Sequence, residues 1–155
     1  MKLEGVTVID LSLFLPGPAA TQMMADHGAR VIKVENPKAP EPTRSGEAFP
    51  WQQGGETVMF RNTQRGKESI ALDLKSEAGK AALAELIKSA DVLVPAFRPG
   101  GSLRLVCLPE GPKAINPRIV YCCLAAVFPS GAFRDNPSND TPPVASSWRS
   151  EEHTS

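Results

Sequence analysis

The residues in this sequence best suited to chemistry are cations set at turns between apolar runs. Arg65 and Lys67 precede one β-rich run, Lys75 follows it, and Arg98 and Arg104 follow the next. Singly, each reads as solvated surface charge. Grouped around strand ends they point to a phosphate-bearing ligand, because guanidinium and ammonium groups are natural partners of phosphate. Glu35, an acid directly after a strand-like run, stands where a dinucleotide fold holds a ribose. The first turn, however, reads LSLFLPGPAA and lacks G-x-G-x-x-G, which argues against nicotinamide or flavin binding. There is no G-x-S-x-G elbow and no G-x-x-x-x-G-K-[ST] loop. His27 adjoins Gly28 at a helix end, where a cation suits the last carbonyls, so it reads as a cap before it reads as a catalyst. The three cysteines, Cys107, Cys122 and Cys123, have neither metal-ligand spacing nor a disulfide framework. They read as buried, reduced thiols, the adjacent pair facing opposite sides of a strand. No metal site is expected.

The elements that must position these groups begin with the stretch from Gly5 to Pro37. Val6 to Ile9 is mostly apolar, as for a strand buried on both faces of a parallel sheet, and Asp10 ends it. A turn carrying Pro16, Gly17 and Pro18 follows, with Pro18 suited to the first helical position. Ala19 to His27 reads as a helix with Met23 and Met24 on its inner side and Gly28 as the left-handed stop. Arg30 to Val34 is a second apolar strand, completing a right-handed βαβ unit. Its carboxyl edge, Asp10 to Pro18 beside Glu35 to Lys38, is where open α/β sheets bind ligands.

Lys38 to Glu56 is rich in Pro and Gly and reads as a long loop, with Thr57 to Phe60 a short strand or helix. Ser69 to Leu74 is a third strand. Ser76 then caps a helix whose inner face carries Leu83, Leu86, Ile87 and Ala90. Asp91 to Val94 and Arg118 to Leu124 are further strands. Strand and helix alternate throughout, so the fold class is α/β, a parallel sheet with flanking helices.

The 155 residues suffice for one domain with a core, and the 41% apolar content is ordinary for a globular chain. Lys plus Arg and Asp plus Glu number 17 each, so no global field favours nucleic acid or membrane. No run is long and apolar enough to span a bilayer, and the N-terminus lacks the plan of a secretion signal. A cytoplasmic setting is therefore expected. Residues 1–125 form the expected α/β part. Residues 126–148 have no apolar period and much Pro, Ser and Asn, and read as a degraded or disordered continuation. The terminal RSEEHTS, residues 149–155, which includes His153, matches codon for codon a DNA sequence used as a sequencing adapter. It is expected to be a read artefact, and the chain the truncated front of a longer protein.

Several blocks in order, LEGVTVIDLS, LPGPAATQMMADHGARVIKVENP, RGKESIALDLKSEAGKAALAELIKSADVLVPAFRPG and NPRIVYC, resemble the start of a class III (CaiB/BaiF-type) CoA-transferase. That family includes formyl-CoA and carnitine-CoA transferases and α-methylacyl-CoA racemases. The resemblance runs from about Leu3 to Asp140. It implies a Rossmann-like domain holding CoA in residues 1–125, a second domain, an interlocked homodimer, and acyl-CoA and carboxylic acid substrates. It also implies transfer through an aspartyl-CoA anhydride, an Asp carboxylate attacking the thioester.

Carried over residue by residue, the resemblance implies CoA contacts at Phe14, Leu15 and Pro16 in the first turn. It implies that Leu72 flanks the adenine and that Lys75 reaches a phosphate, with Phe97, Arg98 and Arg104 contributing further on. Ala96 stands where the family has an Asn, and Val106 where it has a Gly. The family's glycine-rich active-site strand, roughly S-G-F-G-Q-T-G-P, is here AAVFPSGA, Ala125 to Ala132. Asp140 matches the Asp of a G-Y-D block and is an auxiliary catalytic candidate only. Racemases carry His just before it, and Asn139 here tilts the parentage toward transferase. The family's nucleophilic Asp falls in a later block absent from these residues. The resemblance thus implies a CoA-transferase by ancestry that lacks turnover as given. The alternatives are a racemase-like parent and a non-catalytic nucleotide- or CoA-binding module.

Overall fold

Apolar side chains on both faces of short, β-branched runs require a sheet covered twice. In the computed structural model, which describes residues 1–45, 52–53, 55–95 and 109–124, that sheet is parallel and five-stranded. Its strands are β1 (Thr7–Asp10), β2 (Arg30–Glu35), β5 (Glu68–Ala71), β6 (Val92–Val94) and β7 (Val120–Tyr121). A short antiparallel pair, β3 (Gln52–Gln53) and β4 (Glu56–Thr57), stands apart from it. The helices are α1 (Pro16–Asp26), α2 (Val58–Gln64), α3 (Glu77–Ser89) and α4 (Glu110–Ile115). A 3-10 turn, Pro42–Arg44, follows β2.

The strand order is β5-β2-β1-β6-β7. The chain winds outward from β1 through β2 to β5, then returns to the other side of β1 for β6 and β7. Successive strands therefore diverge between β1 and β6, a topological switch point whose carboxyl-end crevice is the usual ligand site of such sheets. Alternate residues of each strand feed the two faces. Ile9, Ile32, Val34 and Leu93 pack with Leu83 and Ile87 of α3. Val8, Val31 and Val94 pack on the opposite face with Met24 and Ala25 of α1.

Helix α1 begins at Pro16, three residues before the sequence suggests. Pro16 and Pro18 both fit a first turn, where a missing N–H costs nothing. Gly17 is buried against the strand end, and a Cβ there would collide with the Ser12 side chain. The PGP segment is thus a packed helical turn and not a loop. This start sets the buried face on Gly17, Pro18, Thr21 and Gln22, with Met24 partly buried, and turns Met23 outward, 64% exposed and not inward as expected. Gly28, at φ 98°, ends the helix after His27, whose Nδ1 lies 2.8 Å from the Met23 carbonyl. The histidine and glycine expectations hold together as one C-cap.

Ser76 caps α3, its Oγ accepting from the Gly79 N–H at 3.0 Å. At the far end Asn116 Nδ2 donates to the carbonyls of Ile87 and Ala90, at 3.0 and 2.8 Å, which ties α3 to the turn before β7. The last strand is short, ending at Tyr121, so Cys122 and Cys123 lie beyond it and are free and exposed, not buried. Cys107 lies outside the described residues. The long loop expected after Pro37 is partly ordered by the 3-10 turn, and Thr57 caps α2, its Oγ1 accepting from the Phe60 N–H. Among the described residues no helix is long and apolar enough to cross a membrane.

Candidate functional site

Asp10 does not simply end its strand. It is the last residue of β1, fully buried, and donors converge on its carboxylate from several elements. Oδ1 accepts from the Ser12 N–H at 2.9 Å and from Ser12 Oγ at 2.5 Å. Oδ2 accepts from Thr21 Oγ1 of α1 at 2.6 Å and from Lys67 Nζ at 3.1 Å. Burial pushes this carboxyl up, but the charges of Lys33 and Lys67 and the two hydroxyl donors outweigh it, so it is held below the usual range. Lys67 also donates to the Pro18 carbonyl at 2.9 Å and to Thr21 Oγ1 at 2.8 Å. Burial pushes the ammonium of Lys67 below its ordinary value against the pull of Asp10. The pair locks the β1 end to the first turn of α1.

A second buried pair lies beside the first. Lys33 of β2 is 2% exposed at its side chain and Glu41 is 0% exposed, their Nζ and Oε2 separated by 3.2 Å. Lys33 Nζ also donates to the Ser12 carbonyl. Glu41 Oε1 accepts from the Phe14 N–H at 2.9 Å and from Thr43 Oγ1 at 3.0 Å. Glu35 completes the cluster. Its carboxylate takes Arg44 at 2.6 Å, the Glu41 N–H at 3.0 Å and Ser69 Oγ at 3.1 Å. Burial raises its carboxyl, and Arg44, the Glu41 amide and Ser69 together bring it below the usual range. Arg44 in turn lies 4.2 Å over the Phe60 ring. Glu35 is thereby committed to the fold, which removes it as a ribose ligand. A cleft of about 170 Å³ beside Phe60 and Ser69 is lined by these same paired charges, and is smaller than ordinary small-molecule pockets.

The outer surface of this edge carries Phe14 and Leu15, 50% and 51% exposed, and Pro16 at the helix start. Phe14 has φ 64°, the one described non-glycine residue in the left-handed region. Of the cations singled out from the sequence, Arg65 pairs with Asp26 at 2.6 Å and Lys67 is buried with Asp10, so neither is the free turn cation expected. Both cations follow α2, which packs on α1, and so their side chains reach acceptors on α1 or beside it. Lys75 is exposed after β5, its N–H bonded to Asp73 Oδ1 at 3.0 Å. Leu72 is 9% exposed and packs in the core, its N–H donating to the Glu35 carbonyl at 2.9 Å. Phe97, Arg98, Arg104 and Asp140, with Ala96, Val106, Asn139 and His153, lie outside the described residues. The sequence reading missed Lys33 and Glu41, whose only signal was a lysine in an apolar strand followed by an acid in a loop. Among the described residues no group of His, Cys, Asp and Glu side chains could hold a metal ion.

The fold defines a doubly wound α/β protein with its topological switch between β1 and β6. The sequence profile of CoA-transferase family III matches residues 3–147, and the chain belongs to that family. It is 38% identical over 137 residues to the succinate–glutarate CoA-transferase of Agrobacterium fabrum, covering 86% of this chain and 34% of that protein. It is 37% identical over 133 residues to the human alpha-methylacyl-CoA racemase, covering 86% of this chain and 30% of that one. A crystal structure of a CaiB/BaiF family protein from Brucella suis superposes with a TM-score of 0.83 at 31% identity, covering 94% of this chain and 39% of that chain. The chain thus spans about a third of the length of the curated relatives it matches.

Proposed function

We propose that this chain supplies the acyl-CoA-holding part of an enzyme that moves CoA between carboxylic acids through an aspartyl-CoA anhydride. The observation that carries the reading is the match of the family profile across residues 3–147. The exposed apolar turn at the β1 carboxyl end supports it, because a pantetheine or adenine group needs an apolar surface to rest on. In this reading Phe14, Leu15 and Pro16 line the CoA site, Leu72 backs the adenine, and Lys75 reaches a phosphate. Phe97, Arg98 and Arg104 add the remaining contacts. Asp140 is an auxiliary carboxylate. Asn139, where racemases carry His, favours transferase over racemase. An interlocked homodimer and a cytoplasmic setting belong to the same proposal.

Calorimetry with CoA at low salt, repeated on Lys75→Ala, tests the reading. The expected result is measurable binding that weakens with salt and falls about tenfold in the variant, the low end for a hydrogen bond to a charged group. Equal binding by both proteins would remove Lys75 from the site. No binding by either would remove the CoA reading.

A further inference from the structure

Lys33 and Glu41 are distant in sequence from the turn they touch, yet both end on its backbone. Lys33 Nζ donates to the Ser12 carbonyl and Glu41 Oε1 accepts from the Phe14 N–H at 2.9 Å. The segment from Ser12 to Phe14 is therefore gripped from below by two buried, opposite charges. The grip coincides with the one described non-glycine residue of positive φ, Phe14 at 64°. A bulky residue in that region persists only where its surroundings impose it. Packing does not impose it here, because half of Phe14 faces solvent. The charge-assisted bond from its own N–H to Glu41 is the contact that does. Glu41 is itself fixed by Thr43, whose N–H and hydroxyl donate to the same oxygen at 3.3 and 3.0 Å. Lys33 compensates the buried charge.

We propose that Glu41, neutralised by Lys33, is a positioning residue that holds the first βα turn in one conformation so that Phe14 and Leu15 are presented to the ligand. The inference rests on the reading that this edge binds acyl-CoA, and it adds a residue that touches no ligand. Its action is preorganisation: a turn competent only part of the time binds more weakly in proportion to its competent fraction. Glu41→Gln is the informative change. Its amide oxygen can face either Phe14 or Lys33, and in each orientation the NH2 meets donors on the other side, so one half of the grip is lost.

The test combines amide hydrogen exchange at Phe14 with CoA calorimetry on four proteins: wild type, Glu41→Gln, Phe14→Ala and the double variant. Exchange at the Phe14 amide is expected to quicken about tenfold or more in Glu41→Gln, and CoA affinity to fall about tenfold, as when the competent fraction drops to a tenth. In the Phe14→Ala background the same change should cost less than about twofold, because the side chain being presented is gone. Equal losses in both backgrounds, or unchanged exchange at Phe14, would overturn the proposal. If wild type binds no CoA, quickened exchange still upholds the positioning role while the CoA reading falls, and unchanged exchange removes both. Should Glu41→Gln not fold, Glu41→Asp retains the charge one methylene short, and the same acceleration at Phe14 is expected from it.

Discussion

Replacing Asp10 with Asn tests the buried edge most sharply. The carboxylate accepts four bonds, from Ser12 N–H and Oγ, Thr21 Oγ1 and Lys67 Nζ. An asparagine in the same place offers one acceptor oxygen and an NH2 that must face donors on one side. Lys67, 1% exposed at its side chain, would be left charged and without its carboxylate. Breaking one partner of a buried pair costs about 3–5 kcal/mol, and the retained amide oxygen places Asp10→Asn near the lower end, at about 3 kcal/mol. With a urea slope of about 1–3 kcal/mol per molar, the midpoint should fall by about 1.5 M. Circular dichroism through a urea titration at neutral pH reads this directly. Adding Lys67→Met removes the stranded ammonium, so the double variant should be more stable than the sum of the single losses by about 1 kcal/mol or more. A loss below about 1 kcal/mol for Asp10→Asn, or strict additivity, would refute the reasoning.

Acid should unfold the chain through the same groups. The carboxyls of Asp10 and Glu35 are held below their ordinary values of 3.8 and 4.5, so their stabilisation is complete above those values and is lost as pH falls through the depressed ones. A pH series of urea midpoints should be flat near neutrality and drop below about pH 4.5; a flat profile down to strong acid would contradict this. Gly28→Ala forces a Cβ into φ 98° beside Met1 and should lower stability by about 1 kcal/mol or more, read from the thermal midpoint. Incubation with formyl-, succinyl- and carnitinyl-type CoA thioesters and acid acceptors should leave no covalent adduct at Asp140 on hydroxylamine trapping. A mapped adduct would assign that residue the nucleophile's role.

The βαβ core was legible because its signals are local. Val8 and Ile9, Val31 and Ile32 are apolar neighbours that feed opposite faces, and Ser76 with Glu77 announces α3. Helix α2 was harder to read. Val58, Phe60, Asn62 and Thr63 are indifferent helix formers, and the helix depends on the Thr57 cap and on packing against Thr43 and Arg44. Helix α4, with Gly111 and Pro112 inside it, has the composition of a loop. The candidate site was legible only as placement: Phe14, Leu15 and Lys75 lie beyond strand ends, as the sequence suggests. Its foundation was not, because burial of Lys33 depends on Glu41, carried back by the segment after β2, and burial of Lys67 depends on Asp10, brought near by the wound topology. A cation at a turn carries no mark in sequence of whether it turns outward to a ligand or inward to an aspartate.

The central claim is that the β1 carboxyl edge of this family III chain holds CoA. Titration of CoA into the isotopically labelled chain, followed through its backbone amide resonances, tests it most directly. Shifts concentrated at residues 12–16 and 72–75, diminishing with added salt, are predicted. Saturable shifts confined to other surfaces, or none at millimolar CoA, would contradict it.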